Sequence, residues 1–419
     1  MRLRRATCED GSTAILMLDI TTSKWVNLVD AVKDCGVAST KLNDARNILQ
    51  FLGLDRPTRE AWRKVVKTYA ERHRLTSLEP ASMLPFEPQS FRDGALYERH
   101  LIQAAKGFKR VALANGNALQ LFFGQLIAKD IRLPRAVGKS KKPAYYVGNP
   151  YTFAADGAEA SWPSHCAWYD YELEIALVIG NRISATATRA EVETAIFDHG
   201  AFVLINDFSA RDTQADELAS VGFGFVKSKS AITTMGSQVI TADELWAPGD
   251  SGALFDSGLN CSVRVNGQIW GRGNTNNQPR VCSLAEFVAF MALDEGLHPG
   301  ELLGLGTIPN CCGLEVNRWL KPNDQITLTC DHFGTLTNSI GAPPPGSVRF
   351  KYIGVDDSNR VSRLYTAAKL LFMAIILPPI AFFLLLSGAI AALFWRGDSP
   401  APGLDAPTMP GGRTAKKAI

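Results

Sequence analysis

The sequence predicts an α+β protein whose larger region is rich in β-strands and forms a barrel or a rolled sheet. Three observations support this fold class. Strand and turn signals alternate through the middle of the chain, with few helical stretches between them. Amphipathic helical patterns are concentrated before residue 76, which predicts a smaller N-terminal α+β region. An uncharged apolar stretch from Leu370 to Trp395 predicts one C-terminal transmembrane helix.

The N-terminal region comprises residues 1–85 in this interpretation. The segment TAILMLDITTSKWVNLVDAV predicts two short strands followed by the start of a helix. Residues 42–54 and 59–75 have the spacing of amphipathic helices, and the prolines of PASMLPFEPQ indicate a linker. We therefore assign residues 86–341 to a catalytic domain, in which residues 284–296 predict the clearest helix.

Composition narrows the class of protein. With 419 residues and 46% hydrophobic content, the chain can bury a large core. The formal net charge is only +3, and basic residues are not interleaved with aromatic ones, which argues against a nucleic-acid partner. Eight scattered cysteines without a CxxC spacing favour a reducing compartment. Adjacent cysteines are poor tetrahedral ligands, so we interpret Cys311 and Cys312 as buried free thiols.

The segment YELEIALVIG places two carboxylates inside an apolar, β-branched run. Glu172 and Glu174 are two residues apart, so in a strand both point to the same face. Two neighbouring anions in a half-buried strand repel one another, and a hard divalent cation with oxygen ligands relieves that repulsion. The alternative is an edge strand with two solvated glutamates.

A second apolar run, GAFVLINDFSARD, ends in Asn206 and Asp207. A carboxylate at the end of a buried strand stands where open sheets and barrels commonly build their sites. An Asn-Asp pair can also simply begin a turn. Together with the two glutamates, Asp207 favours a metal site.

The segment SFRDGALYERHLIQAAKGFKR predicts a helix over residues 92–107, with Ser90 as its N-cap. Asp93, Tyr97 and His100 are spaced by four and three residues, which places them on one helical face. Histidine is the natural general base near neutral pH when a water or substrate proton is within reach. Alternatively, His100 is a surface residue of an amphipathic helix.

At this point the chain resembles the fumarylacetoacetate hydrolase family. The strings SFRD…YERH, YELEIALVIG, NDFSARD, FVKSKS…TT, VNGQIWGRG, GLGT and GLE…WLKPND occur in the family's order and cover roughly residues 85–341. The resemblance implies the β-rich barrel or rolled sheet of that family. Gly94 stands where the family often has an aromatic residue, and the family's second substrate-binding arginine has no clear match.

The resemblance also implies a role for individual residues. A Mg²⁺ or Ca²⁺ ion would be held by Asp93, Glu172, Glu174 and Asp207, with Lys229 and Thr233 as additional members of the metal site. The catalytic set would be His100, Glu315, Lys229, Arg211 and Gln214. Substrate binding would fall to Tyr97, Tyr146, Thr307, Arg211 and Gln214.

The resemblance implies a hydrolase that cleaves a carbon–carbon bond of a 1,3-diketo acid resembling fumarylacetoacetate or an acylpyruvate. The metal would polarise a carbonyl and stabilise the leaving enolate. His100, oriented by Glu315, would activate water. A decarboxylase, hydratase or tautomerase of 2-keto acids would use the same metal without the same activated water. A third alternative is an inactive domain that serves as a membrane-tethered interaction module.

The C-terminal segments predict a membrane anchor. Residues 342–363 form a linker, residues 364–396 the transmembrane helix and residues 397–419 a disordered tail rich in Pro, Gly and Ala. The apolar stretch corresponds to about 39 Å of helix, enough to cross a bilayer core of about 30 Å with tilt. A single-pass anchor with a cytosolic catalytic domain is the simplest topology, and a re-entrant hairpin is the alternative. The resemblance further implies a homodimer.

Overall fold

The computed structural model describes residues 1–8, 10–36, 46–73, 83–114, 143–218, 224–276 and 279–345. Its β-strands are β1 Arg2–Thr7, β2 Thr13–Asp19, β3 Lys24–Asn27, β4 Ser90–Gly94, β5 Tyr145–Gly148, β6 Phe153–Ala155, β7 Glu159–Ala160, β8 Tyr169–Asp170, β9 Glu172–Val178, β10 Ala201–Asn206, β11 Ser209–Ala210, β12 Thr233–Thr241, β13 Asn260–Val265, β14 Gln268–Asn274, β15 Glu301–Cys312, β16 Gln325–Cys330 and β17 Gly334–Ile340.

The helices are fewer than the strands across the same described ranges. They are α1 Leu28–Asp34, α2 Ile48–Gly53, α3 Arg56–Arg72, α4 Glu98–Ala114, α5 Arg189–His199, α6 Arg211–Asp216, α7 Ala242–Leu245, α8 Ala253–Asp256, α9 Leu284–Ala292 and α10 Gly313–Val316, with a 3₁₀ turn at Pro150–Thr152. The predicted α+β class with a predominance of strands is confirmed.

One mixed sheet of ten strands organises the fold. Its order is β3-β2-β1-β12-β10-β9-β15-β4-β5, and β6 pairs with β12 beside this path. Within the described ranges β3 and β5 do not pair with each other, so the sheet stays open. Of the two predicted forms, a barrel or a rolled sheet, the closed barrel is wrong. A second sheet follows the order β14-β13-β16-β17-β7, and β11 pairs with β8.

The N-terminal strands belong to the same sheet as the catalytic region. β1 pairs antiparallel with β12, with Arg2 opposite Ile240 and Leu3 opposite Val239. Backbone hydrogen bonds therefore join the two regions. The boundary proposed near residue 85 stays a prediction.

Strands β9 and β10 are buried along their whole length, as expected for a sheet covered on both faces. Their side chains alternate between two apolar clusters. Leu173, Ile175 and Leu177 pack in the larger cluster, whereas Ala176 and Val178 face the cluster formed with the N-terminal region. Glu172 and Glu174 share the parity of Ala176 and Val178, so the period of two that the sequence predicted is confirmed.

Helix α9 begins at residue 284 as predicted, whereas helix α3 begins at Arg56, three residues before the predicted start at residue 59. Helix α9 has Ser283 as N-cap and Glu286 completing a capping box. Helix α3 begins after Asp55, whose carboxylate accepts a hydrogen bond from the backbone N–H of Thr58.

The predicted helix over residues 92–107 is wrong at its N-terminal end. Ser90–Gly94 is strand β4, and helix α4 begins only at Glu98. β4 pairs parallel with β15 and antiparallel with β5, so its backbone groups are satisfied by the sheet instead of a helix. Asp93 and His100 consequently lie on different elements, not on one helical face.

The C-terminal predictions lie outside the described residues. The span 364–396, the tail 397–419 and all but the first few residues of the linker 342–363 belong to this part of the chain. Among the helices that the structure does describe, none combines the length and apolarity needed to cross a bilayer.

Candidate active site

Three buried carboxylates meet at one end of the large sheet. Asp93 lies on β4, Glu174 on β9 and Asp207 directly after β10, and each is at most 5% exposed. One oxygen from each lies within 4.8 Å of the others. Three of the four carboxylates that the sequence assigned to a metal are therefore brought together.

The sheet register explains this convergence. Strand β15 lies between β4 and β9, with Gly304 opposite both Asp93 and Ala176. Because Gly304 has no side chain, the carboxyl group of Asp93 occupies the space that a Cβ would fill. Glu174 pairs with Ile205 on β10, two residues before Asp207.

Neighbouring hydroxyl groups bind the same carboxylates. Tyr146 Oη donates to Asp207 Oδ2 at 2.7 Å, and Thr233 Oγ1 lies 3.3 Å from Asp207 Oδ1. Thr307 Oγ1 donates to Glu174 Oε1 at 2.9 Å. The structure thus places Tyr146, Thr233 and Thr307 around the acidic cluster, where they orient its carboxylates.

Glu172 has a different environment from the other three acids. Arg211 Nη2 lies 2.5 Å from Glu172 Oε1, and Lys229 Nζ contacts Glu172 Oε2. Burial opposes ionisation of this carboxyl group, but the charges of Arg211 and Lys229 outweigh it and hold the pKa well below its usual range. Glu172 is thus an ionised, fully paired carboxylate at the edge of the cluster.

The electrostatics of the three converging acids favour a bound cation. Burial, reinforced by the charge of Asp207, raises the pKa of Asp93 to about 8. Burial and then the charge of Asp93 raise the pKa of Glu174 as well. Among the described residues, Asp93 Oδ1 and Glu174 Oε2 are buried without a hydrogen-bond partner. Two orphaned carboxylate oxygens in one buried cluster fit a hard divalent ion such as Mg²⁺ or Ca²⁺.

Lys229 acts as an internal counterion of this cluster. Its ammonium contacts both Glu172 and Asp207 and lies 5.6 Å from the centre of the Tyr146 ring. Burial alone would lower the pKa of Lys229, yet Asp207 and Glu172 raise it. A protonated amine has no free electron pair, so in this arrangement Lys229 balances charge and is not a metal ligand.

A histidine–glutamate pair lies beside the cluster. His100 Nδ1 is 3.0 Å from Glu315 Oε1, and His100 Nε2 is 4.0 Å from Glu172 Oε1. The backbone N–H of Asn310 donates to the other oxygen of Glu315. Helix α4 and helix α10 therefore supply the two partners that the sequence predicted to act together.

The sequence analysis missed a buried ion pair between Asp170 and Arg211. This pair connects Glu172, which Arg211 contacts, with the start of helix α10, which carries Glu315. Asp170 accepts hydrogen bonds from Arg211 Nε at 2.7 Å and from the backbone N–H groups of Gly313 and Leu314 at 2.6 and 2.9 Å. Arg211 also donates to Gln214 Oε1 at 2.7 Å. Arg211 and Gln214, both predicted to bind substrate, are thus engaged within the protein. An aspartate flanking the Glu-x-Glu strand was the only sequence signal for Asp170.

Tyr97 is placed in the core and not on a shared face with Asp93. It is 2% exposed, and its ring lies 5.9 Å from that of Phe255. Burial raises the pKa of its phenol well above the usual value. Its predicted role in substrate binding stays a prediction.

An acidic cluster lies beside an imidazole–carboxylate pair on an open mixed sheet, an arrangement typical of acid–base sites. Residues 118–341, more than half of the chain, match the family described as fumarylacetoacetate (FAA) hydrolase, C-terminal. The chain therefore belongs to the fumarylacetoacetate hydrolase family, as the resemblance predicted. Asp93 and His100 precede the matched range.

Two bacterial relatives of similar sequence are both named only as uncharacterised proteins. A protein of Staphylococcus epidermidis is 29% identical over 199 residues, which cover 46% of this chain and 60% of the relative. A Staphylococcus aureus (strain USA300) protein is 27% identical over 199 residues, covering 46% and 61%. The match thus spans about three fifths of the length of these relatives.

Solved structures share the fold at low identity. A fumarylacetoacetate hydrolase from Exiguobacterium antarcticum is 17% identical with a TM-score of 0.56, covering 82% of this chain and 99% of that one. A protein described as a probable 2-hydroxyhepta-2,4-diene-1,7-dioate isomerase from Mycobacterium abscessus is 17% identical with a TM-score of 0.51, covering 81% and 98%. The fold therefore occurs in proteins named as hydrolases and as isomerases.

Proposed function

We propose that this protein is a divalent-metal-dependent hydrolase that cleaves a carbon–carbon bond of a 1,3-diketo acid resembling fumarylacetoacetate or an acylpyruvate. The single observation that supports hydrolysis is the position of His100. Its Nδ1 is held by Glu315 at 3.0 Å, and its Nε2 faces the acidic cluster 4.0 Å from Glu172. An imidazole oriented in this way is suited to take a proton from water.

The metal, Mg²⁺ or Ca²⁺, would be held by Asp93, Glu174 and Asp207, with Glu172 at the edge of the cluster. When bound, it would supply Lewis-acid polarisation of a substrate carbonyl. Tyr146 and Thr307 would keep the ligand carboxylates oriented through their hydroxyl groups.

The remaining steps are assigned to side chains. Nε2 of His100 accepts a proton from water as the oxygen adds to the distal carbonyl of the substrate. Glu315 accepts a hydrogen bond from Nδ1 and stabilises the imidazolium, the same logic as in other base–orienter pairs. The bond between the carbonyl carbon and its neighbour then breaks, and the imidazolium returns its proton to the carbon fragment that leaves. Arg211 and Lys229 stay close enough to Glu172 to keep that carboxylate ionised throughout.

The substitution His100→Gln tests this proposal against its nearest rival. We expect hydrolysis of simple acylpyruvates to fall by about 10²–10⁴, the usual contribution of a general base. The matched control is His298→Gln, since His298 is exposed and its backbone N–H contacts Glu301. Exchange of the substrate's acidic C–H with deuterated solvent is measured in parallel.

The two readouts separate the reaction classes. Loss of hydrolysis with retained exchange, in a wild-type protein that hydrolyses, supports water activation by His100. A wild-type protein that exchanges or isomerises keto acids without hydrolysing them supports a tautomerase, decarboxylase or hydratase and contradicts the proposal. Wild-type protein that binds no Mg²⁺ or Ca²⁺ would favour an inactive interaction module.

Membrane attachment through residues 364–396 and homodimer formation are part of the same proposal. They rest on the apolar stretch and on the family resemblance. The catalytic domain would then face the cytosol, and its partner there would be a small keto acid.

A further inference from the structure

We propose a second cation site, formed by His100, Cys312 and Glu315, that binds a borderline or soft divalent ion such as Zn²⁺, Co²⁺ or Cd²⁺. An ion bound at this site would coordinate His100 and Glu315, which could then no longer activate water. The inhibitory consequence rests on the proposed function, whereas the binding itself does not.

The geometry brings three elements to one point. His100 lies on α4, Cys312 ends β15 and Glu315 lies on α10. One ligand atom from each lies within 4.8 Å of the others. Zn²⁺ binds nitrogen, sulfur and oxygen at about 2.0–2.3 Å, so tetrahedral ligands stand roughly 3.3–3.8 Å apart. The observed separation is therefore within reach of small side-chain rotations.

The donor set differs from that of the acidic cluster. The cluster of Asp93, Glu174 and Asp207 offers only oxygen, which suits Mg²⁺ and Ca²⁺. An imidazole, a thiolate and a carboxylate instead suit Zn²⁺ and its softer neighbours. Burial raises the pKa of the Cys312 thiol, so the thiol must release its proton to solvent when the ion binds. The resulting thiolate and one carboxylate then balance the charge of a divalent ion. The two sites are thus expected to select different metal ions.

The adjacent residue Cys311 provides a control for the role of Cys312. Consecutive strand residues point to opposite faces. Cys311 packs in the main core, where its sulfur faces the backbone at Gly273. Cys312 packs with Ala104 and Leu314 beside the histidine. The objection that adjacent cysteines cannot both ligate one ion therefore does not apply, because only Cys312 is required.

Cobalt titration of the full-length protein tests the site without any turnover. With Mg²⁺ present in excess to saturate the acidic cluster, Co²⁺ is added and the thiolate-to-cobalt charge-transfer absorption is followed. We expect one equivalent of this absorption in wild-type protein, its loss in Cys312→Ser and its retention in Cys311→Ser. Circular dichroism confirms that each variant is folded.

A second variant keeps the test decisive if Cys312→Ser does not fold. His100→Gln removes the nitrogen ligand but leaves the thiolate, so it should weaken cobalt binding at least 10-fold. The proposal is overturned if wild-type protein shows no charge-transfer band, or if the band survives in Cys312→Ser. In the latter case the source would be Cys261 and Cys330, whose sulfurs lie 3.1 Å apart on β13 and β16. Unchanged affinity in His100→Gln would also overturn it.

Inhibition is measured separately from binding. Zn²⁺ should inhibit acylpyruvate hydrolysis without being relieved by excess Mg²⁺, because the two ions occupy different ligands. A protein that shows the expected cobalt spectra but hydrolyses no acylpyruvate would retain the second site and refute the proposed function. A protein that hydrolyses acylpyruvates but lacks the charge-transfer band would support the proposed function and refute the second cation site.

Discussion

Gly304 controls the position of a proposed metal ligand, and Gly304→Ala tests this directly. A Cβ at residue 304 would lie 2.7 Å from Cγ of Asp93 and still closer to its Oδ1. Non-bonded carbon atoms rest at about 3.5–4.0 Å, so the carboxyl group must move by roughly 1 Å. Metal–ligand distances tolerate only about 0.2 Å. We therefore expect Mg²⁺ affinity to fall by about 10–100-fold, which is about 1.4–2.8 kcal/mol.

Isothermal titration of the purified protein with Mg²⁺ measures this loss. The matched control is Gly236→Ala on strand β12 of the same sheet, where a Cβ would meet Leu204 at the ordinary distances of 3.4 and 3.5 Å. That variant should bind Mg²⁺ like wild-type protein. Wild-type affinity in Gly304→Ala would refute the placement of Asp93 in the metal site, whereas equal losses in both variants would indicate general damage to the sheet.

Three further predictions follow from the site and the sequence. The raised pKa of Asp93, from 3.8 to about 8, means that this carboxyl group binds its proton more tightly in the folded metal-free protein than in the unfolded chain. The contribution of Asp93 to stability is therefore fully present below pH 3.8 and is lost as pH rises through about 8. Urea unfolding in EDTA should show this decline, and added Mg²⁺ should offset it most at the alkaline end; a metal-free protein that gains stability over this range would contradict it. Asp170→Asn should cost about 3–5 kcal/mol because it breaks a buried ion pair and leaves Arg211 with only one of its two carboxylate partners, Glu172. Asp256→Asn on an exposed pair should cost less than about 1 kcal/mol, and similar losses of the two variants in urea unfolding would count against the importance of the buried pair. Deleting Leu370 onward should move the protein from the membrane to the soluble fraction on sedimentation, and a truncated protein that still pellets with membranes would disprove the anchor.

The positions of the carboxylates on strand β9 and directly after strand β10 could be predicted from local sequence. Glu172 and Glu174 follow the two-residue period of a strand, and Asp207 ends an apolar run, so their positions depend on neighbours a few residues away. The structure confirms both patterns. His100 and Glu315 were matched through the family resemblance, and their contact at 3.0 Å agrees with it.

Other parts of the site depend on contacts that no local pattern shows. Asp93 was expected on a helix because its spacing to His100 fits one. It lies on a strand because β15, more than two hundred residues later, pairs with residues 90–93. Arg211 was expected to bind substrate, and its actual partners Asp170 and Glu172 become neighbours only through the fold. Cys312 likewise meets His100 only when α4 packs beside the end of β15.

The insertion of β15 between β4 and β9 sets the order in which the protein can assemble. During synthesis, a chain that ends near residue 300 still lacks the strand that joins Asp93 to Glu174. Asp93 and Glu174, which repel one another, are therefore brought together only after β15 has been synthesised. Such long-range closure is slow, since the ends of a large loop must meet before their contacts stabilise it. Metal uptake at Asp93 and Glu174 is accordingly expected only once β15 has joined the sheet.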